Sequence, residues 1–137
     1  MTTTRSVFFT LLAALVFVLC GCTTWSSDVR RPGESRVPSL VGRSLKTGRP
    51  ATDPAKIALV EGAATGKPYE ALADISIAAR PTLFSRVPTQ ELLAQRLRAE
   101  AAKLGADAVI DVHYEMLHTG PGRVTPPSAS GRAVVYK

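Results

Sequence analysis

The stretch 89-TQELLAQRLRAEAAKLGADAVIDVHYEML-117 decides the fold. Its first half has helical period. Leu93, Leu97, Ala101 and Leu104 recur at spacings of 4, 4 and 3 and form one apolar stripe, while Arg96, Arg98 and Glu100 occupy the remaining surface. Thr89 follows Pro88 and is placed to cap the N-terminus. Glu91 in the first turn and Lys103 in the last complement the helix dipole. Gly105 stands where a left-handed residue ends a helix. Small residues at Ala94, Ala101 and Ala102 allow close approach to a sheet. The second half switches to period 2. Ile110, Val112, Tyr114 and Met116 fall on one face, and Asp111, His113 and Glu115 on the other.

Upstream, "KIALVEG" from Lys56 is a short apolar run read as a strand, and "ATGKP" is turn chemistry. "YEALADISIAA" alternates: Ala71, Ala73, Ile75 and Ile77 face one way, and Glu70, Asp74 and Ser76 the other. That is a half-buried strand, stopped by Pro81. "PTLFSRVP" reads as a connecting loop, with Phe84 placed on the core. Downstream, "HTGPGRVTPPSAS" reads as a loop and "GRAVVYK" as a final strand. The expected class is α+β: a two-layer sandwich in the order β-β-α-β-β, with one amphipathic helix on a small, mainly antiparallel sheet.

The N-terminal part has a different character. Val7 to Leu19 is a thirteen-residue apolar run broken only by Thr10. At 1.5 Å per residue it spans roughly 20 Å, short of a ~30 Å hydrocarbon core, and its length suits a signal-peptide core. It ends in Leu19-Cys20-Gly21-Cys22, and the chain has no other cysteine. A disulfide between such close neighbours would enclose a tiny loop and stabilise little. One Cys-x-Cys also supplies too few ligands for a tetrahedral metal. The motif resembles the bacterial lipoprotein signal, with an aliphatic residue at −3, a small residue at −1 and then the modified cysteine. That resemblance implies cleavage before Cys22 and diacylglyceryl and acyl groups on it. Several acyl chains, at about 0.8 kcal/mol per buried CH₂, would anchor the protein firmly. The departure from the pattern is Cys20 at −2. Thr23 in place of aspartate implies the outer membrane, periplasmic face.

From Thr23 to about Pro54 the chain reads as a spacer. It holds Pro32, Pro38, Pro50 and Pro54, several Gly, and six basic residues against three acids. No apolar period persists. Roughly 30 flexible residues would reach about 30 Å, which would put the domain on a leash. The expected organisation is residues 1–21 signal peptide, 22–55 lipidated cysteine and flexible basic linker, and 56–137 α+β domain. The formal charge is +6 for the whole chain and +5 without residues 1–21, where Arg5 is the only charged residue. No basic-aromatic stripe suggests nucleic acid.

Asp111, His113 and Glu115 are the one polar constellation, with His118 a few residues on. Spacing of i, i+2, i+4 on a strand puts the first three on one face, where imidazole and carboxylates suit zinc or copper. A strand with one wet face alternates in the same way. Gly-x-Ser-x-Gly, His-Glu-x-x-His and a phosphate-cradling Gly-rich loop are absent from the sequence. An enzyme is therefore not expected.

The run Ala101-Ala102-x-Leu104-Gly105-Ala106-Asp107-Ala108-Val109, with Ser130-Gly131-x-Ala133-Val134, resembles the helix–strand–loop–strand signature of the small bacterial YbjQ-like proteins. It is also similar to envelope lipoprotein domains such as the lipoprotein sensor of the Rcs envelope-stress system. The resemblance implies the α+β fold, the heavy-metal-binding label that family carries, and homo-oligomers among its members. The sensor domain is braced by disulfides, for which this domain has no cysteines. The expected function is a membrane-anchored envelope lipoprotein with a small non-catalytic protein-interaction or stress-sensing domain and an envelope protein as partner. The alternative is a divalent heavy-metal-binding envelope domain.

Overall fold

The computed structural model describes residues 23–34, 45–63, 66–80, 82 and 85–137. The elements in chain order are β1 (Thr24–Arg30), a single 3₁₀ turn (Pro54–Lys56), β2 (Ala58–Leu59), β3 (Tyr69–Arg80), α1 (Gln90–Lys103), β4 (Ala108–Glu115), β5 (His118–Gly120), β6 (Arg123–Thr125) and β7 (Ser128–Tyr136). Five strands form one sheet in the order β1-β3-β7-β4-β2, and β5 and β6 form a separate hairpin. All pairings are antiparallel except β2 with β4. The α+β class, with one helix on a mainly antiparallel sheet, is as expected. The order β-β-α-β-β is not: three strands precede the helix and four follow it.

α1 forms where its caps place it. Thr89 Oγ1 accepts from the Leu92 N–H at 3.3 Å. At the other end the Gly105 N–H donates to Ala102 O and the Ala106 N–H to Ala101 O, a Schellman closure. Gly105 adopts φ +71°, and a Cβ there would meet Pro50 O at 2.6 Å. Both the backbone conformation and the crowding therefore require glycine. Leu93, Leu97, Ala101 and Leu104 are buried, the stripe expected from spacing.

The helix lies on a face of unusually small residues. β7 is the central strand, and opposite Ile77, Ile75 and Ala73 of β3 it presents Ala129, Gly131 and Ala133. A Cβ on Gly131 would meet Val109 Cγ1 at 2.5 Å, so the sheet is packed to the backbone there. Ile75, Ile77, Val109 and Val112 complete the main core.

Four expectations need correction. The spacer from Thr23 to Pro54 contains β1, which pairs with β3 over seven residues, from Thr24↔Arg80 to Arg30↔Asp74. Trp25, Ser27 and Val29 lie opposite the core-facing Ala79, Ile77 and Ile75, so the strand has period 2 with a serine at its middle inward position. Two short apolar contacts are enough at an edge because the ladder supplies the rest. Later in the same spacer, the Thr47 hydroxyl donates to Leu104 O at 2.8 Å and the Thr52 N–H to Ala102 O at 2.9 Å, tying it to the end of α1. The "KIALVEG" strand shrinks to Ala58–Leu59. The Gly/Pro loop after β4 contains the β5–β6 hairpin.

The fourth correction is in β4. Pairing with β7 breaks between Ile110 and His113, and Asp111 has φ +52°. The bulge is built rather than frayed. The Asp111 N–H donates to Gly62 O at 2.8 Å and the Val112 N–H to Val60 O at 3.1 Å. The extra residue flips the alternation. Val112 enters the main core, while Ile110 packs on the other face with Ala108, Val134, Val60 and Tyr136. Phe84, Cys22 and the apolar N-terminal run lie outside the described residues.

Candidate functional site

The sheet face away from α1 is where polar side chains gather. The register lays them in rows across the strands. One row is Asp28 (β1), Ser76 (β3), Ser130 (β7) and His113 (β4). The next is Arg30, Asp74 and Arg132, a cation–anion–cation row ending on Ile110. A groove of about 380 Å³ runs over these rows, lined among others by Asp28, Arg30, Asp74, Asp111, Ser130 and Arg132.

Two ion pairs lie within it, and its lining carries four acids, Asp28, Glu34, Asp74 and Asp111, against the two arginines. Arg132 Nε donates to Asp74 Oδ1 at 2.7 Å. Arg30 Nε donates to Asp28 Oδ2 at 2.6 Å, with its terminal nitrogen on the same oxygen. Asp74 raises the Arg132 guanidinium further above its ordinary value, mainly through that hydrogen bond, and Asp28 does the same for Arg30. Arg132–Asp74 bridges adjacent strands and supports their register, while Arg30–Asp28 joins two residues on the same face of β1. Arg132 and Asp74 are each more than a third exposed, and such pairs contribute up to about 1 kcal/mol.

The proposed metal set does not assemble as spacing suggested. His113 lies opposite Ser130 and Glu115 opposite Ser128, so those two share the open face. Glu115 Oε2 accepts from Ser128 Oγ at 3.3 Å. Asp111 sits in the bulge with a left-handed backbone, out of the alternation that would have aligned it with them. His118 pairs with Thr125 in the hairpin. Among the described residues no group of three or more His, Cys, Asp or Glu is brought together to hold a metal ion.

The groove's residues were only partly legible. Asp74 was visible as an outward residue of an alternating strand. Arg30 and Asp28 were hidden because their strand was read as spacer. The second feature of the site is the outer edge of β1, which has no strand neighbour among the described residues. Such an edge offers backbone donors and acceptors to an added strand. Among the described residues no helix is long and apolar enough to cross a membrane. No protein-family model, curated protein or solved structure gives a significant match to the chain.

Proposed function

We propose that the chain is a lipid-anchored protein of the bacterial envelope whose α+β domain is a non-catalytic interaction or stress-sensing module. The carrying observation is Leu19-Cys20-Gly21-Cys22 at the end of a thirteen-residue apolar run. Acylated Cys22 is the anchor, in the outer membrane on its periplasmic face. The free edge of β1 and the polar groove beside it support the interaction role: an extended segment of an envelope protein adds to β1 and lays polar side chains over the Arg30–Asp74–Arg132 row. The resemblance to YbjQ-like and stress-sensor domains supports the same reading.

The test is metabolic labelling with palmitate in a host that has an outer membrane. The full chain should take up label and fractionate with that membrane, Cys22→Ala should lose it, and Cys20→Ala should keep it. An unlabelled parent chain would end the anchor reading. For the partner, a photo-crosslinker at exposed Ser26 on β1 should capture an envelope protein. Capture of nothing, in normal or stressed growth, would count against the interaction reading.

A further inference from the structure

The topology sends most of the exposed apolar residues to one end of the domain. Thr24 pairs with Arg80, Ala78 with Ser128, and Ser128 with Glu115. The start of β1, the end of β3, the start of β7 and the end of β4 therefore form one rim of the sheet. Two connections cross that rim. The chain from Arg80 to Gln90 carries Val87 and leads into α1, whose N-terminal half is fixed there by Arg96 lying over the Trp25 ring at 5.0 Å. The chain from Glu115 to Ser128 carries Met116 and the β5–β6 hairpin, which is sheet-paired only with itself.

Five large hydrophobic residues are exposed among the described residues: Val87, Leu92, Met116 and Val124 on this rim, and Tyr69 at the opposite end. Val124 on the hairpin is 64% exposed. The same rim exposes Arg80, Arg86, Arg96 and Arg123 against Glu91 and Glu115, leaving an excess of two positive charges. Trp25, the chain's single tryptophan, is half-buried beside them, with the amphipathic character suited to a lipid–water boundary. At the other end Lys137 faces Glu70 at 3.9 Å and Lys67 lies over Tyr136.

Chain connectivity says what covers this rim. β1 begins two residues after Cys22, so Thr24 lies no more than about 7 Å from the anchored Cα. The headgroup layer of one leaflet is itself roughly 5–7 Å deep. With the leash replaced by a strand, an acylated Cys22 brings the rim to headgroup level.

We infer that this rim is a membrane-apposition surface: Val87, Leu92, Met116 and Val124 dip into the headgroup boundary of an anionic phospholipid bilayer, and the four arginines lie on its phosphates. The inference rests on the anchor reading. It fixes the orientation of the domain, with the sheet strands standing off the membrane and the Tyr69 end pointing into the periplasm. The outer edge of β1 and the polar groove then run upward from the bilayer, open to a partner from the side.

The experiment uses the full chain, processed and purified from a host envelope and reconstituted in phosphatidylglycerol-containing vesicles with brominated acyl chains. Val124→Cys and Tyr69→Cys each give a single thiol for an environment-sensitive fluorophore, because Cys22 is blocked by acylation and Cys20 is removed with the signal. Palmitate on Cys22 is measured on the same samples. The expected result is loss of most fluorescence at position 124 and little at 69, with less quenching at 124 in purely zwitterionic vesicles. Equal or absent quenching at both positions, with palmitate present, overturns the apposition and leaves the anchor standing. A label at 124 that is shielded from aqueous quencher but untouched by bromolipid means that a protein, such as a second copy, covers the rim, and also overturns it. A chain without palmitate sinks the anchor reading and the apposition with it.

Discussion

The two faces of the central sheet are built on opposite principles. Under α1, strand β7 presents Ala129, Gly131 and Ala133, and at Gly131 the side chains of Val109 and Val112 on neighbouring β4 close in until a single added methyl would collide. On the other face the same strand presents Ser128, Ser130 and Arg132, held in rows of partly solvated ion pairs. The first face specifies one packing because dense interiors tolerate neither voids nor excess. The second specifies little energy but a definite chemistry. A protein arranged this way concentrates its stability on one side and leaves the other free to change.

Substitutions should separate the two faces in magnitude. Leu97 is fully buried beneath α1, and Leu97→Ala should cost about 2–5 kcal/mol in urea denaturation. A cost of a few tenths would mean that the covered face is loose. Gly131→Ala should cost about 1–3 kcal/mol, since the new methyl must displace Val109 or the β4 backbone. The bulge where the faces exchange should be intermediate. Asp111→Val places a β-branched residue at φ +52° and should cost about 1–2 kcal/mol, with Asp111→Gly tolerated. If valine is as stable as aspartate in thermal melts, the bulge does not have this backbone. Asp74→Ala on the open face should cost no more than about 1 kcal/mol, with the effect fading at high salt.

The smallest effect is a pH dependence. Burial lifts the Tyr114 phenol above its ordinary value, with Arg98 opposing. A phenol harder to ionise in the folded chain than in the unfolded one leaves stability intact below the unfolded value of about 10 and erodes it as pH rises through the folded value. The urea midpoint should therefore fall in that alkaline window. Tyr114→Phe should flatten the fall, and an unchanged slope would place the phenol in solvent.

Legibility followed the strength of the local signal. α1 was readable from both caps and its stripe, because each is a short-range device that acts wherever the helix sits. β3 was readable where Ala73, Ile75 and Ile77 alternate, but its start was not: the register with β7 shifts between Ala71 and Ala73 and sets Ala71 opposite Val134, off the face it was expected to share with Ala73. β4 misled: its sequence alternates cleanly, yet Ile110 and Val112 end on opposite faces. The signal for that bulge lies in Val60 and Gly62, whose carbonyls take its two N–H groups from roughly fifty residues away in sequence. The candidate site suffered from the same break, since the spacing of Asp111, His113 and Glu115 assumed an unbroken strand. β1 was unreadable because Thr24–Arg30 contains only Trp25 and Val29 as apolar inward residues, in a stretch rich in proline and charge.

By itself the sequence determined the helix, its caps, the long strand β3, the α+β class and the N-terminal pattern from which the anchor is proposed. These follow from periodicities and motifs in which neighbours along the chain supply the physics. Only the tertiary structure decided that β1 belongs to the sheet, that β4 bulges, that Arg30, Asp74 and Arg132 form one row, and that four of the five large apolar residues exposed among the described residues fall at one end of the domain. Each of these depends on a hydrogen-bond ladder or a register between distant segments, and a weakly apolar strand becomes a strand only when a partner edge is there to pair with it.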